Sequence, residues 1–139
     1  MRKNITLILL ICFILSTLAF GILWVKERNS QADALLIARS SANDAYNSFK
    51  MYRNTGDESY YWYGVSAFRS FQQAYYLLVE NTNKSTNYVF CNQIYGSLVL
   101  FPDRSQEHIT ELLQITEILS SNVKDENAYI LMSNLRNVI

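Results

Sequence analysis

Apolar positions along this chain follow two patterns. Residues 5–25 read ITLILLICFILSTLAFGILWV, a run without a single charge. After it, apolar residues recur at steps of three and four among polar ones. The first pattern matches the roughly 20 residues that a helix needs to cross a hydrocarbon core about 30 Å thick. There the backbone must satisfy its own hydrogen bonds, so the run predicts a transmembrane helix over 5–25. The alternative is a cleaved secretory signal, with Arg2 and Lys3 as its basic start and Thr17-Leu18-Ala19 as a small-x-small site. A signal core is only about 7–15 residues long, whereas this run continues past Ala19 through Phe20, Ile22, Leu23, Trp24 and Val25. An uncleaved anchor fits better. Cys12 does not make a lipoprotein signal, because Ile11 precedes it and the apolar run surrounds it.

Basic residues on the two sides are nearly balanced, Arg2 and Lys3 against Lys26 and Arg28. A short basic tail is easily held in the cytoplasm, and a first apolar segment commonly acts as a signal anchor. The expected topology is a single pass, with residues 1–4 as a cytoplasmic tail and residues 26–139 outside. Trp24 then sits at the headgroup level.

The second pattern is helical. Leu35, Ala38, Ala42, Ala45, Phe49 and Tyr52 alternate steps of three and four, which makes an apolar seam with a seven-residue repeat. Three alanines in that seam allow a neighbouring helix to come close, and the seam offers itself as a contact surface. Gly56 suits a helix C-cap and Asp57 the N-cap of the next helix. Tyr61, Gly64, Phe68, Phe71, Tyr75 and Leu78 repeat the spacing, with Val65 and Val79 beside them. Residues 81–84 read as a polar turn. A third helix from near Ser85 shows Tyr88, Cys91, Tyr95 and Leu98 on one face, with Ile94 alongside, and Pro102 ends it. Asp103 and Gln106 have capping-box spacing for a fourth helix bearing Ile109, Leu112, Thr116 and Leu119, thickened by Leu113, Ile115 and Ile118. A break at 120–122 precedes a short last helix with Ala128, Leu131, Leu135 and Val138 inward. Short connections make antiparallel neighbours, so the expected fold is all-α: one N-terminal transmembrane helix followed by an antiparallel up-and-down bundle of four to five helices.

Composition narrows the function. From Asn29 onward there are eight basic and eleven acidic residues, which argues against nucleic-acid binding. Beyond the anchor Cys91 is the lone cysteine, so no disulfide can close within the domain. A small buried hydrophobe is its simplest role. The triplet Asn83-Lys84-Ser85 has the form of a glycosylation acceptor.

Two clusters carry candidate chemistry. In Glu107-His108-Ile109-Thr110-Glu111 a histidine and carboxylates share a helix face at metal-ligand spacing. Bundle metal sites need several such groups on facing helices, and His108 is the chain's only histidine. A solvated first turn, where acids meet the helix dipole favourably, accounts for the cluster without a metal. The second cluster is Tyr60-Tyr61-Trp62-Tyr63. Tyr61 belongs to the seam, which leaves Tyr60, Trp62 and Tyr63 as a contact patch of aromatic faces with polar tips. No phosphate loop, nucleophile elbow or triad pattern occurs. The sequence therefore reads as a non-enzymatic protein without cofactor or metal, held in the lipid bilayer by residues 5–25. Its work would be protein contact or self-association, as an accessory or scaffolding subunit of an envelope complex. A module for a small ligand or glycan, using the same patch, is the alternative.

Overall fold

The structure, a computed structural model, describes residues 2–79 and 85–139, with side chains described for 13–79 and 86–139. The turn expected at 81–84 and the acceptor Asn83 lie outside the described residues. In chain order the helices are α1 (Arg2–Thr55), α2 (Glu58–Val79), α3 (Ser85–Leu100), α4 (Pro102–Glu107), α5 (Ile109–Ser121) and α6 (Glu126–Leu135), with no strand among the described residues.

The chain divides into two compact units, one ending at Asp33 and one spanning Ala34–Ile139. In the first, Phe13, Phe20 and Ile22 are 69%, 76% and 69% exposed. Among the described residues no helix is long and apolar enough to cross a membrane. Of the expected span, residues 5–12 lie outside the described side chains. The uncharged remainder, 13–25, is shorter than the roughly 20 residues a crossing requires, and Lys26, Glu27 and Arg28 follow it directly.

The second unit is a bundle with five legs: α1 from Ala34 onward, α2, α3, the α4–α5 pair and α6. Gly56, at φ +70, lets the chain turn out of α1, and its N–H donates to the Tyr52 carbonyl. The Asp57 carboxylate then accepts from the Ser59 N–H at 2.9 Å and caps α2. Phe49 and Tyr52 of α1 meet Tyr61 of α2, with ring centroids 6.0 and 5.6 Å apart. Tyr61 donates to the Leu98 carbonyl of α3 at 2.9 Å. Cys91 of α3 lies against Met132 of α6, sulfur to sulfur 3.9 Å. From α1, Arg39 reaches the Ser121 carbonyl at the end of α5 at 3.1 Å. With α5 packed on α6, the legs close into a ring ordered α1, α2, α3, α6, α5. Five legs that run alternately up and down cannot alternate all round a ring, so one neighbouring pair must be parallel. That pair is α3 and α6.

The core follows the seams. Ala38, Ala42, Ala45 and Phe49 of α1 are fully buried, as are Tyr61, Phe68, Phe71 and Tyr75 of α2 and Cys91, Ile94 and Leu98 of α3. The alanine seam is therefore consumed inside the bundle and offers no outer contact surface. Three local expectations are corrected. The single fourth helix is two: the chain breaks at His108 (φ −103, ψ 27) between α4 and α5. Ser105, buried at this break, donates to the Ser97 carbonyl at 3.2 Å and ties α4 to α3. The Asp103 capping box does not form, because Phe101 is the N-cap and Pro102 takes the first helical position, so Asp103 lies two residues too late. In α6 the buried face is Ala128, Tyr129, Met132 and Leu135, leaving Val138 53% exposed. The Tyr129 hydroxyl donates to the Val123 carbonyl, and that bond sets the helix's rotation.

Candidate functional site

At the start of α2 the core and the surface divide residue by residue. Tyr61 is fully buried, and burial pushes its phenol up to about 12, although the Ser105 hydroxyl pulls the other way. Its neighbours point elsewhere. Trp62 is 44% and Tyr63 63% exposed, and Tyr60 is half-buried. At about 100° per residue Tyr60 and Trp62 leave the helix on opposite flanks of Tyr61. Tyr60 pairs with Tyr63 (centroids 6.5 Å apart, 66°), whereas Trp62 stands edge-on to Tyr61 (5.3 Å, 80°). Tyr63 bridges the two flanks on the outer face. The arrangement offers aromatic faces with polar tips, which suit binding.

The His108 cluster sits at the α4–α5 break. His108 Nδ1 lies 3.2 Å from Glu111 Oε1, so the two do share a face. Burial raises the Glu111 carboxyl, but the hydrogen bonds from His108 and from its own N–H, with the Coulombic pull of His108, together outweigh it and hold the group below its ordinary value. Among the described residues no group of three or more His, Cys, Asp or Glu side chains is placed to hold a metal ion. The Cys91 thiol is buried, and burial pushes its pKa well up, so it remains a protonated packing group facing Met132.

A shallow depression of about 240 Å³ lies between α3 and α6, over Tyr129 and between Phe90 and Ile130. Sequence periodicity gave no sign of it, since it depends on the parallel pairing of two helices far apart in the chain.

Compared with models of known protein families, with curated proteins and with solved structures, the chain matches none.

Proposed function

We propose that this chain is a single-pass membrane protein whose helical bundle, outside the cytoplasm, works by binding another protein, as a non-enzymatic accessory or scaffolding subunit of an envelope complex. The observation that carries the contact role is the start of α2: Trp62 on one flank and Tyr63 on the outer face remain 44% and 63% exposed, while Tyr61, just before them in sequence, is fully buried in the core. Large rings with polar tips left in water on a rigid helix are what protein interfaces use as anchors. Support for the anchor comes from the uncharged run at 5–25, and from the exposure of Phe13, Phe20 and Ile22, which lipid would cover at no hydrophobic cost.

The test is a photo-crosslinking residue placed at Tyr63 in living cells, with the same residue at Lys124 as the comparison site. Contact through α2 requires a discrete adduct from position 63 that is absent from 124 and is lost when Trp62 is changed to Ala. Equal adducts from both positions, or none from 63, would remove the reading. Topology is read separately, by labelling Lys124→Cys with an impermeant maleimide. Labelling in intact cells supports an outside bundle, and protection until lysis places it in the cytoplasm.

A further inference from the structure

The flank of α2 that meets α3 carries a surface unlike the apolar seam. Trp62, Arg69 and Tyr76 stand seven residues apart, a spacing that returns to nearly the same helix face with a drift of about 20° per step. All three are exposed, Tyr76 by 41%. Opposite them α3 presents Tyr88, Asn92 and Tyr95, at steps of four and three on one face. The two rows interlock. Tyr76 and Tyr88 hold their rings 5.1 Å apart at 55°. Gln72, only 7% exposed, donates through Nε2 to Asn92 Oδ1 at 2.9 Å and to the Tyr88 hydroxyl at 3.5 Å. The Arg69 guanidinium lies 5.7 Å from the Tyr95 ring centre and donates to its hydroxyl at 3.4 Å.

This network fixes the side chains and leaves Asn92 and Arg69 with donors to spare. The exposed Asn92 uses its oxygen on Gln72, and its NH₂ group meets no other described protein acceptor. Arg69 has no carboxylate partner among the described residues. A guanidinium held against a ring keeps the rest of its planar fork free for a two-oxygen acceptor, which a carboxylate supplies. Amide and phenol groups, which both donate and accept, match hydroxyls, which do the same. The exposed rings of Trp62 and Tyr76, fourteen residues or about 21 Å apart along α2, offer flat apolar faces at the two ends.

We propose that the α2–α3 joint is a binding strip for a short acidic carbohydrate, a chain of uronic-acid type. Trp62 and Tyr76 stack on the C–H faces of sugar rings, Asn92 and Tyr88 bond their hydroxyls, and Arg69 takes a carboxylate. The recurrent peptide-binding modes suit the strip less well. It has no sheet edge for an added strand, and its centre is a row of polar groups where a docking helix needs apolar pockets.

The test uses the full chain in phosphatidylcholine nanodiscs, with Trp24→Phe so that Trp62 is the one remaining indole. The probes are a hexamer of galacturonic acid, maltohexaose as its neutral counterpart, and a proline-rich dodecapeptide. The expected result is saturable quenching of Trp62 by the acidic hexamer, at least tenfold tighter than by maltohexaose. Arg69→Gln should erase that preference, and Asn92→Ala should weaken both sugars about equally. Arg69→Gln changes an exposed side chain, so unchanged helical circular dichroism will separate lost binding from lost folding. No saturable quenching by the hexamer, equal affinity for the two sugars, indifference to both substitutions, or binding of the dodecapeptide alone would overturn the proposal. Trp62 belongs to both surfaces, but a protein adduct at Tyr63 and sugar quenching that depends on Arg69 are separate readouts, so failure of one reading is distinguishable from failure of the other.

Discussion

The two flanks of α2 are built on opposite principles. Towards α1 the joint is steric. Gly64 sits so close to Phe49 that a Cβ built on it would lie 2.5 Å from the ring, and three buried alanines leave room for the approach. Towards α3 the joint is polar and aromatic, held by Tyr61 on the Leu98 carbonyl, Gln72 on Asn92 and Arg69 on Tyr95. A joint closed by packing excludes everything else and can only hold the bundle together. One closed by hydrogen bonds at a half-open edge keeps polar groups at the surface, where a ligand can share them. The same helix thus contributes stability on one side and recognition on the other.

The steric flank should break first and hardest. Phe49→Ala removes a fully buried ring, and is expected to cost about 3–5 kcal/mol in urea unfolding of the bundle. Gly64→Ala pushes a methyl group into that same ring. Overpacking of this kind costs about 1–3 kcal/mol, against a gain of nearly 1 kcal/mol in helix propensity, so a net loss of about 1 kcal/mol is expected. The two substitutions share one contact and must not add. With Phe49 already reduced to alanine, Gly64→Ala should become neutral or stabilising, and an additive cycle would show that the close approach does not matter.

The polar flank is tested through the bond that begins it. Tyr61→Phe leaves the Leu98 carbonyl without its donor and should cost about 1 kcal/mol at neutral pH. It should also change the alkaline limb. The folded state raises this phenol from 10.0 to about 12, so the stabilisation it brings is complete below pH 10 and is lost as pH climbs from 10 towards 12. Stability measured across that window should fall less steeply in Tyr61→Phe than in the parent. Equal slopes would place the alkaline sensitivity elsewhere in the core.

Much of the packing was legible beforehand, because a 3/4 step in apolar residues is the physical signature of a buried helix face. Ala38, Ala42, Ala45 and Phe49, then Tyr61, Gly64, Phe68 and Phe71, stand in the core as the spacing requires. The turn at Gly56 and Asp57 was legible too, since positive φ and an N-cap each favour few residue types. The break at His108 was not, because no glycine or proline marks it; the constraint is the distant tie from Ser105 to Ser97. The register of α6 was misread by about one position, since the Tyr129 bond to Val123 and the Met132 contact with Cys91 outweigh its local pattern. Among the exposed residues, Trp62 and Tyr63 stood out because four successive aromatic residues cannot all face inward. Arg69, Gln72 and Asn92 did not stand out. They belong to no motif, and Asn92 meets Gln72 only in the particular register that α3 takes on α2.

The smallest effect expected belongs to neither flank. Asp57 is fully exposed and caps α2 through the Ser59 N–H and hydroxyl, and those two bonds hold its carboxyl below the usual value of 3.8. A depressed folded pKa means that the stabilisation is present above about pH 4 and is lost as pH falls through the folded value. Asp57→Ala should therefore lower the thermal midpoint slightly at pH 7 and by less once the carboxyl is protonated, when the remaining cap is that of a neutral acceptor. Asp57→Asn, which keeps an accepting oxygen, should retain most of the cap and none of the acid sensitivity. Because α2 carries both joints, loosening its first turn should weaken the Phe49 contact and the Leu98 bond together. A loss of equal size in parent, Gly64→Ala and Tyr61→Phe backgrounds would show instead that the cap acts on α2 alone and that its two flanks are set further along the helix.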